Sequence, residues 1–440
     1  MNPLTWYNKN KEKAGTIWEF YIGSGRNIVI NHAQHIEKFC KSTKIFFKRL
    51  PFPIFERIGF NDGILYNNDY DSWHRRRKLV NRALNAPKFL RGLVSCIQTQ
   101  FKASEERWKL KIKDGIEINF SEWIRYFSTD ISTIQTTKQR SYCVALFDTN
   151  DKLVQSDEIK KSLEFTKATK FFFRSLGFFV FIPPFIMDYV PGFSHYKKRC
   201  ERNIDYLNEI VNNIINKRRK ELEEGAELDS DLLDHLLIAH TIKDPNSKND
   251  DNVKPITTKE VTVLTFEMLL VGTDTTGNAI SFLFYYIAKN PNVLAKIHKE
   301  IDEVFGPDSN VEITFEKLEK CHYIEATIKE SLRIICLAPY TIRLSDGIEN
   351  IAGYNWPSGT RFWIDHQTLC NNPDYWNDIE TFNPDRFENH VGPSKLSNFQ
   401  KISYTPFGVG LKSCPGKLLA MNTMKSLVVL FYRRYNIELK

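Results

Sequence analysis

Between Thr257 and Asn290 the chain carries a long, mostly apolar run that no proline interrupts. Thr257 and Glu260, placed just after Pro255, form a candidate capping box. Pro291 supplies the stop. The spacing predicts one helix of roughly 34 residues, about 50 Å long at about 1.5 Å per residue. The chain is 42% hydrophobic and 26% charged, the balance of a soluble globular protein. A helix this long and this apolar must cross the middle of such a molecule. Its 440 residues suffice for two or three ordinary domains or one large single-core fold.

Around that helix the pattern is mainly α with a small β-rich lobe. Residues 1–65 read as short strands and turns with one helix. Thr16–Ile22 and Arg26–Ile30 flank Gly23-Ser24-Gly25 as a hairpin. Helices dominate from about Asp71. Tyr196–Glu224 is long and amphipathic, and Asp244–Pro255 is a polar loop. Helices are expected from Asn290-Pro291 to near Gly306, from Thr314 to Cys336, and from Pro415 to about Arg434, with a strand at Arg361–Ile364.

The exclusions follow from composition. A net charge of +8 suits an acidic protein partner or an anionic surface. No Lys/Arg stripe interleaved with aromatics appears, so nucleic acid is not indicated. Met1–Lys13 is polar and unlike a signal peptide. No run of about 18 apolar residues suggests a spanning helix. Leu176–Met187 is the richest apolar stretch and is broken by two prolines. It reads either as a core segment or as an interfacial loop dipping into a bilayer. The eight cysteines are scattered without a CxxC, which points to reduced thiols.

Phe407-Gly408-Val409-Gly410-Leu411-Lys412-Ser413-Cys414-Pro415-Gly416 carries the most chemistry. Glycines let the backbone approach a sulfur closely. Pro415 suits the first turn of a helix, whose dipole and unpaired amides favour a thiolate. Such a thiolate can be a haem ligand, although the same residues also describe a tight turn before a helix.

Other segments admit two readings each. Gly272 sits in Val271-Gly272-Thr273-Asp274-Thr275-Thr276, mid-way along the long helix, where glycine costs about 1 kcal/mol relative to alanine. The helix either opens there beside a ligand, with Thr275 and Asp274 as an alcohol–acid proton pair, or its hydroxyls bond back to i−4 carbonyls. Trp73 and Arg77 lie one turn apart, as a clamp for paired carboxylates or as a solvated basic face. Arg343 and Lys412 are further cations for that clamp. Glu330 and Arg333 share a helix face, and Arg386, in Phe382-Asn383-Pro384-Asp385-Arg386-Phe387, can complete a structural triad.

Taken in order, Trp73-x-x-x-Arg77, Gly272-x-Asp274-Thr275-Thr276, Glu330-x-x-Arg333, Phe382-x-Pro384-x-Arg386-Phe387 and Phe407-x-x-Gly410-x-Lys412-x-Cys414-x-Gly416 resemble the cytochrome P450 superfamily, in its eukaryotic microsomal-like form. The resemblance spans about residues 16–440. It implies a single P450 domain over 1–440, with residues 1–65 as the β-rich lobe and 66–440 as the helical haem-binding lobe. It implies haem b between the long helix and the last one. Cys414 becomes the iron ligand. Asp274 and Thr275 become the proton relay. Trp73, Arg77, Arg343 and Lys412 contact propionates, and Phe407 and Gly416 line the cofactor cradle. Val271, Gly272, Thr276, Pro339, Tyr340 and Thr341 face the substrate pocket, to which the Phe52–Tyr66 loop also contributes.

By the same resemblance the activity is insertion of one oxygen atom of O₂ into a lipophilic fatty acid, sterol, terpenoid or xenobiotic. Electrons come from NADPH through NADPH–cytochrome P450 reductase, with cytochrome b5 as a further donor. An oxygen-independent isomerase or dehydratase, or a degenerate haem-binding non-enzyme, is the alternative. The implied location is the cytosolic face of the endoplasmic reticulum membrane, with a peripheral membrane contact. An N-terminal anchor and a C-terminal β-hairpin belong to the pattern, and neither is found in this sequence. Two positions depart from it. Lys412 replaces the usual arginine, a point charge in place of a planar fork. Val271 replaces alanine or glycine and narrows the pocket.

Overall fold

A computed structural model describes residues 15–439 apart from 23, 41–43, 52–54, 57–58, 114, 116, 139–156, 229–230, 240–255, 309–310 and 388–395. The expected loop at Asp244–Pro255 and the polar start, Met1–Lys13, lie outside the described residues.

The chain opens with β1 (Ile17–Ile22), β2 (Gly25–Ile30) and α1 (Ala33–Cys40). Helices follow: α2 (Tyr70–Leu84), α3 (Pro87–Lys113), α4 (Phe120–Thr137), α5 (Asp157–Phe181), α6 (Pro184–Tyr189), α7 (Pro191–Glu223), α8 (Leu232–Ile238), α9 (Thr258–Lys289) and α10 (Pro291–Phe305). Then come α11 (Phe315–Leu318), α12 (His322–Ile334), β3 (Tyr340–Leu344), β4 (Glu349–Ile351), β5 (Tyr354–Trp356), β6 (Arg361–Asp365), α13 (His366–Cys370), α14 (Asn398–Ser403) and α15 (Lys417–Tyr432).

The long helix α9 forms as its end signals predict. The Thr257 hydroxyl and the Glu260 carboxylate cap each other's backbone amides in a complete capping box. Helix α4 packs along it, and their shared core joins Trp123, Phe127, Ile280 and Phe284 to Phe431 of α15. The Phe431 ring lies 5.0 Å from Phe101 and 5.1 Å from both Trp108 and Phe284, so α3, α9 and α15 meet at one aromatic knot. Each such ring withdrawn from water is worth about 1.5–3 kcal/mol. A second core gathers Phe60, Phe172, Phe266 and Leu269 on the other side of α9.

The expected β1–β2 hairpin forms, and it is one half of a sheet whose order is β1-β2-β6-β3. β2 pairs in parallel with β6 from Asn27↔Arg361 to Ile30↔Ile364, so the lobe is completed by strands more than 300 residues away. The helix expected over Thr314–Cys336 is two helices. The Glu300 carboxylate of α10 accepts the Tyr323 and Ile324 amides at 2.6 and 2.8 Å and so restarts the helix at His322. Finally, α15 begins at Lys417 with Gly416 as its N-cap, leaving Pro415 just ahead of the helix instead of in its first turn.

Candidate active site

Cys414 is held by the turns that precede α15. Its amide donates to the Phe407 carbonyl at 2.8 Å, closing the loop. Gly408 and Gly410 adopt φ of +76° and +65°, a region side chains disfavour. A Cβ on Gly410 would also run into the Phe39 carbonyl. The cradle therefore leans on α1, and glycine is required for it to do so. The Cys414 side chain is exposed, and it opens onto a cavity of about 390 Å³. Desolvation raises its thiol pKa. The Gly416 amide, Arg77 and Lys417 pull the other way. Phe407 lines the same cavity, with the Lys417 ammonium 5.8 Å from its ring.

A knot of cations lies beside the cradle. Arg77 Nη2 donates to the Ser413 carbonyl at 2.6 Å. Lys412 Nζ donates to the Asn67 carbonyl at 2.6 Å and stands 4.2 Å from the Phe47 ring. Arg343 is not on the cavity lining; it is buried, with Nη1 on the Ile342 carbonyl and Nη2 without a partner. Arg49, which no sequence pattern singles out, lines the cavity with its Nε unpartnered. Burial, aided by mutual repulsion, lowers Arg343 to about 9 and Lys412 to about 6. Such a cluster is costly without a counter-ion. Glu267 is the acid that counters it in part. A group with two carboxylates, as haem b has in its propionates, fits this donor set and would return these groups toward their charged forms.

Trp73 packs against this knot, with the Lys412 ammonium 5.6 Å from its ring, but its N–H points elsewhere. Its indole donates to the Ile64 carbonyl at 3.0 Å, and the residue is 2% exposed and away from the cavity lining. It props the 64–67 segment instead.

The long helix supplies the opposite wall through Met268, Val271, Gly272, Thr275 and Thr276. It runs unbroken through Gly272. Thr273 and Thr275 donate to the carbonyls of Leu269 and Val271 at 2.8 and 2.7 Å. Of the two readings of this segment, the back-bonded one describes the structure. Adjacent residues on a helix point about 100° apart. Thr275 accordingly faces the cavity, while Asp274 faces α4, its carboxylate 4.0 Å from Arg125 Nε. Gly272 makes room for α4, since a Cβ there would stand 2.9 Å from Ser132 Oγ. Leu337, Tyr340 and Thr341 line the cavity, and Pro339 does not. The Pro339 carbonyl instead accepts the His366 and Gln367 amides.

Glu330, Arg333 and Arg386 meet. Arg333 donates Nε and Nη2 to the two Glu330 oxygens at 2.8 and 2.9 Å, a bidentate pair with both side chains fully buried. Arg386 Nε reaches the same carboxylate at 3.4 Å. Arg333 also donates to Asn371 Oδ1 and to the Ile379 carbonyl, which ties α12 to the meander leading to Cys414. The tie continues through His366. Its ring bridges Thr341 Oγ1 and Thr405 Oγ1 at 2.9 and 2.8 Å. Burial, with Arg343 nearby, lowers its pKa to about 3, so it stays neutral.

No motif points to Glu267, although a carboxylate amid the apolar residues of Val263–Val271 is a usable signal. It accepts the Ile64 and Leu65 amides at 2.8 and 3.0 Å and pins that wall to α9. Burial raises its pKa to about 7, against the lowering effect of those amides, Arg49 and Lys412. A raised acid binds more protons folded than unfolded. Its contribution is therefore complete below about pH 4.5 and lost as pH rises through about 7. Measured as melting temperature against pH, the wild-type curve should fall relative to Glu267→Gln across that window. Parallel curves would refute the assignment.

Comparison with known proteins gives the family. The family described as Cytochrome P450 matches residues 1–440. The chain is 25% identical over 432 residues to the 3,9-dihydroxypterocarpan 6A-monooxygenase of Glycine max, covering 94% of this chain and 79% of that protein. It is 24% identical over 444 residues to the germacrene A acid 8-beta-hydroxylase of Inula hupehensis, covering 100% and 82%. It is 25% identical over 431 residues to cytochrome P450 3A18 of Rattus norvegicus, covering 97% and 81%.

Proposed function

The chain belongs to the cytochrome P450 family, whose members bind haem b through a cysteine thiolate, and from that premise we propose that it hydroxylates a lipophilic small molecule with electrons delivered from NADPH by a reductase. The observation that carries the proposal is the pairing of an accessible Cys414 sulfur with Thr275 on the far wall of one mostly apolar cavity. When bound, the haem supplies reductive activation of O₂, which a thiolate ligand favours.

The residues of this chain set the conditions. Cys414 would hold the metal. Arg49, Arg77, Arg343 and Lys412 would hold the propionates. Leu337, Met268 and Val271 exclude water and give the pocket its lipophilic character. Thr275 already donates its hydrogen to Val271, so it turns acceptor lone pairs toward the cavity. Asp274, on the neighbouring face with Arg125, has access to solvent and can bring protons to the helix. Reductase docking on a basic face is consistent with the net charge of +8.

In a reconstituted system of haem-loaded protein, reductase, NADPH and lipid vesicles, oxidation should require both NADPH and O₂. Thr275→Ala should divert electrons several-fold toward peroxide with an unchanged reduced-CO spectrum. Unchanged coupling would remove Thr275 from the relay.

An exposed apolar cluster at Phe185, Tyr189, Val190 and Phe193 supports a peripheral contact with the endoplasmic reticulum membrane. No helix among the described residues is long and apolar enough to cross a membrane. Sedimenting the same vesicles tests the contact, since Phe185→Asp together with Tyr189→Asp should leave the protein in the supernatant.

A further inference from the structure

One wall of the cavity is polar for no reason the proton relay or the cofactor clamp provides. Ser132, Gln135 and Thr136 of α4 all line it, at helical spacings of three and four that put them on one face. They are only 8%, 9% and 5% exposed. Their neighbours Thr129, Thr133 and Thr137 are satisfied, each donating to the carbonyl four residues back at 2.8, 2.8 and 2.9 Å. The side chains of Gln135 and Thr136 have no hydrogen-bond partner among the described residues, and Ser132 reaches only the Met268 carbonyl at a limiting 3.5 Å. Across the gap, Thr276 of α9 also lines the cavity without a side-chain partner.

Gly272 makes this wall available, because any side chain there would press on Ser132 Oγ. A carboxamide that opens only onto the cavity is left to bond a ligand or water there. The cations that suit propionates come from elsewhere, Arg49 and Arg77 ahead of and within α2 and Lys412 from the cradle. The remaining edges of a haem are methyl and vinyl groups, which do not answer a carboxamide. The rest of the pocket offers Leu84, Phe89, Leu232 and Leu337.

We infer that Gln135, with Thr136, Ser132 and Thr276 around it, forms a subsite for a neutral hydroxyl or carbonyl oxygen on an otherwise lipophilic substrate. The inference rests on the monooxygenase reading and narrows it. The wall contains no cation, so it selects an alcohol or ketone over a carboxylate at this end of the pocket. Gln135 can donate to a carbonyl and either donate to or accept from a hydroxyl.

The test uses haem-loaded protein and two matched pairs of probes, menthol with p-menthane and undecan-1-ol with undecane. Spectral titration reads their binding. Wild type should bind at least one alcohol about tenfold more tightly than its hydrocarbon, the effect of about one buried hydrogen bond. Gln135→Leu should cut that preference to about twofold or less, keep hydrocarbon affinity, and leave the melting temperature unchanged or higher. A preference absent in wild type, or surviving in both Gln135→Leu and Thr136→Val, overturns the subsite. So does a melting temperature lowered by several degrees in Gln135→Leu, which would make the carboxamide a structural partner. The reduced-CO spectrum separates the two levels. A missing thiolate band defeats the parent reading and this one together, whereas an intact band without discrimination defeats the subsite alone.

Discussion

Cys414→Ser is expected to abolish the thiolate-type Soret band of the reduced carbon-monoxide complex and to remove oxidation activity, while the fold stays intact. Of the seven free cysteines among the described residues, Cys414 is the one that lines the cavity. Cys336 and Cys370 are buried, with their sulfurs on the carbonyls of His366 and Ser403 at 3.4 Å, so neither can substitute. The Gly416 amide, Arg77 and Lys417 offset the burial of an anion at position 414. A serine hydroxyl there stays protonated and is a harder, weaker ligand. The loss should exceed the roughly 10–100-fold typical of removing an outer partner of a metal site. Retention of the band in the serine variant would show that the sulfur is not the ligand.

Glu330→Ala should be the most damaging change away from the cavity. It strands the Arg333 guanidinium, which is 0% exposed, with an uncompensated charge. Breaking one side of a buried pair costs about 3–5 kcal/mol, a large part of the roughly 5–15 kcal/mol that holds a domain together. The loss should appear as a lower denaturation midpoint and as poor haem retention, because Arg333 fastens the meander that carries Cys414. Arg386→Ala removes a longer contact at 3.4 Å from a side chain that is 14% exposed, and about 1 kcal/mol is expected there. Equal effects of the two substitutions would contradict this ranking, as would full haem loading in Glu330→Ala.

Much of this site was legible before any fold was known, because its signals are local. A capping box lies within four residues, the Cys414 cradle within ten, and Glu330 and Arg333 within one helical turn. The readings that the fold altered or refined depend on packing that the local sequence does not show. The helix expected over Thr314–Cys336 splits because Glu300, on a different helix, caps its second half. Trp73 is spent on the Ile64 carbonyl, which nothing in Trp73-x-x-x-Arg77 reveals. Asp274 and Thr275 are neighbours in sequence and face different surroundings, since only packing decides which side of α9 meets the cavity.

The sequence by itself determined the length and limits of the central helix, the thiolate cradle, the acid–guanidinium brace and the family. Short-range geometry and backbone chemistry dictate each of these. The tertiary structure alone decided which charges gather around the cofactor space, with Arg49 and Glu267 included. It also decided that α4 brings Gln135 to the cavity through the gap at Gly272. Those outcomes depend on burial and on contacts between segments more than 100 residues apart. A buried group's charge, pKa and hydrogen-bond needs exist only once the chain has closed around it.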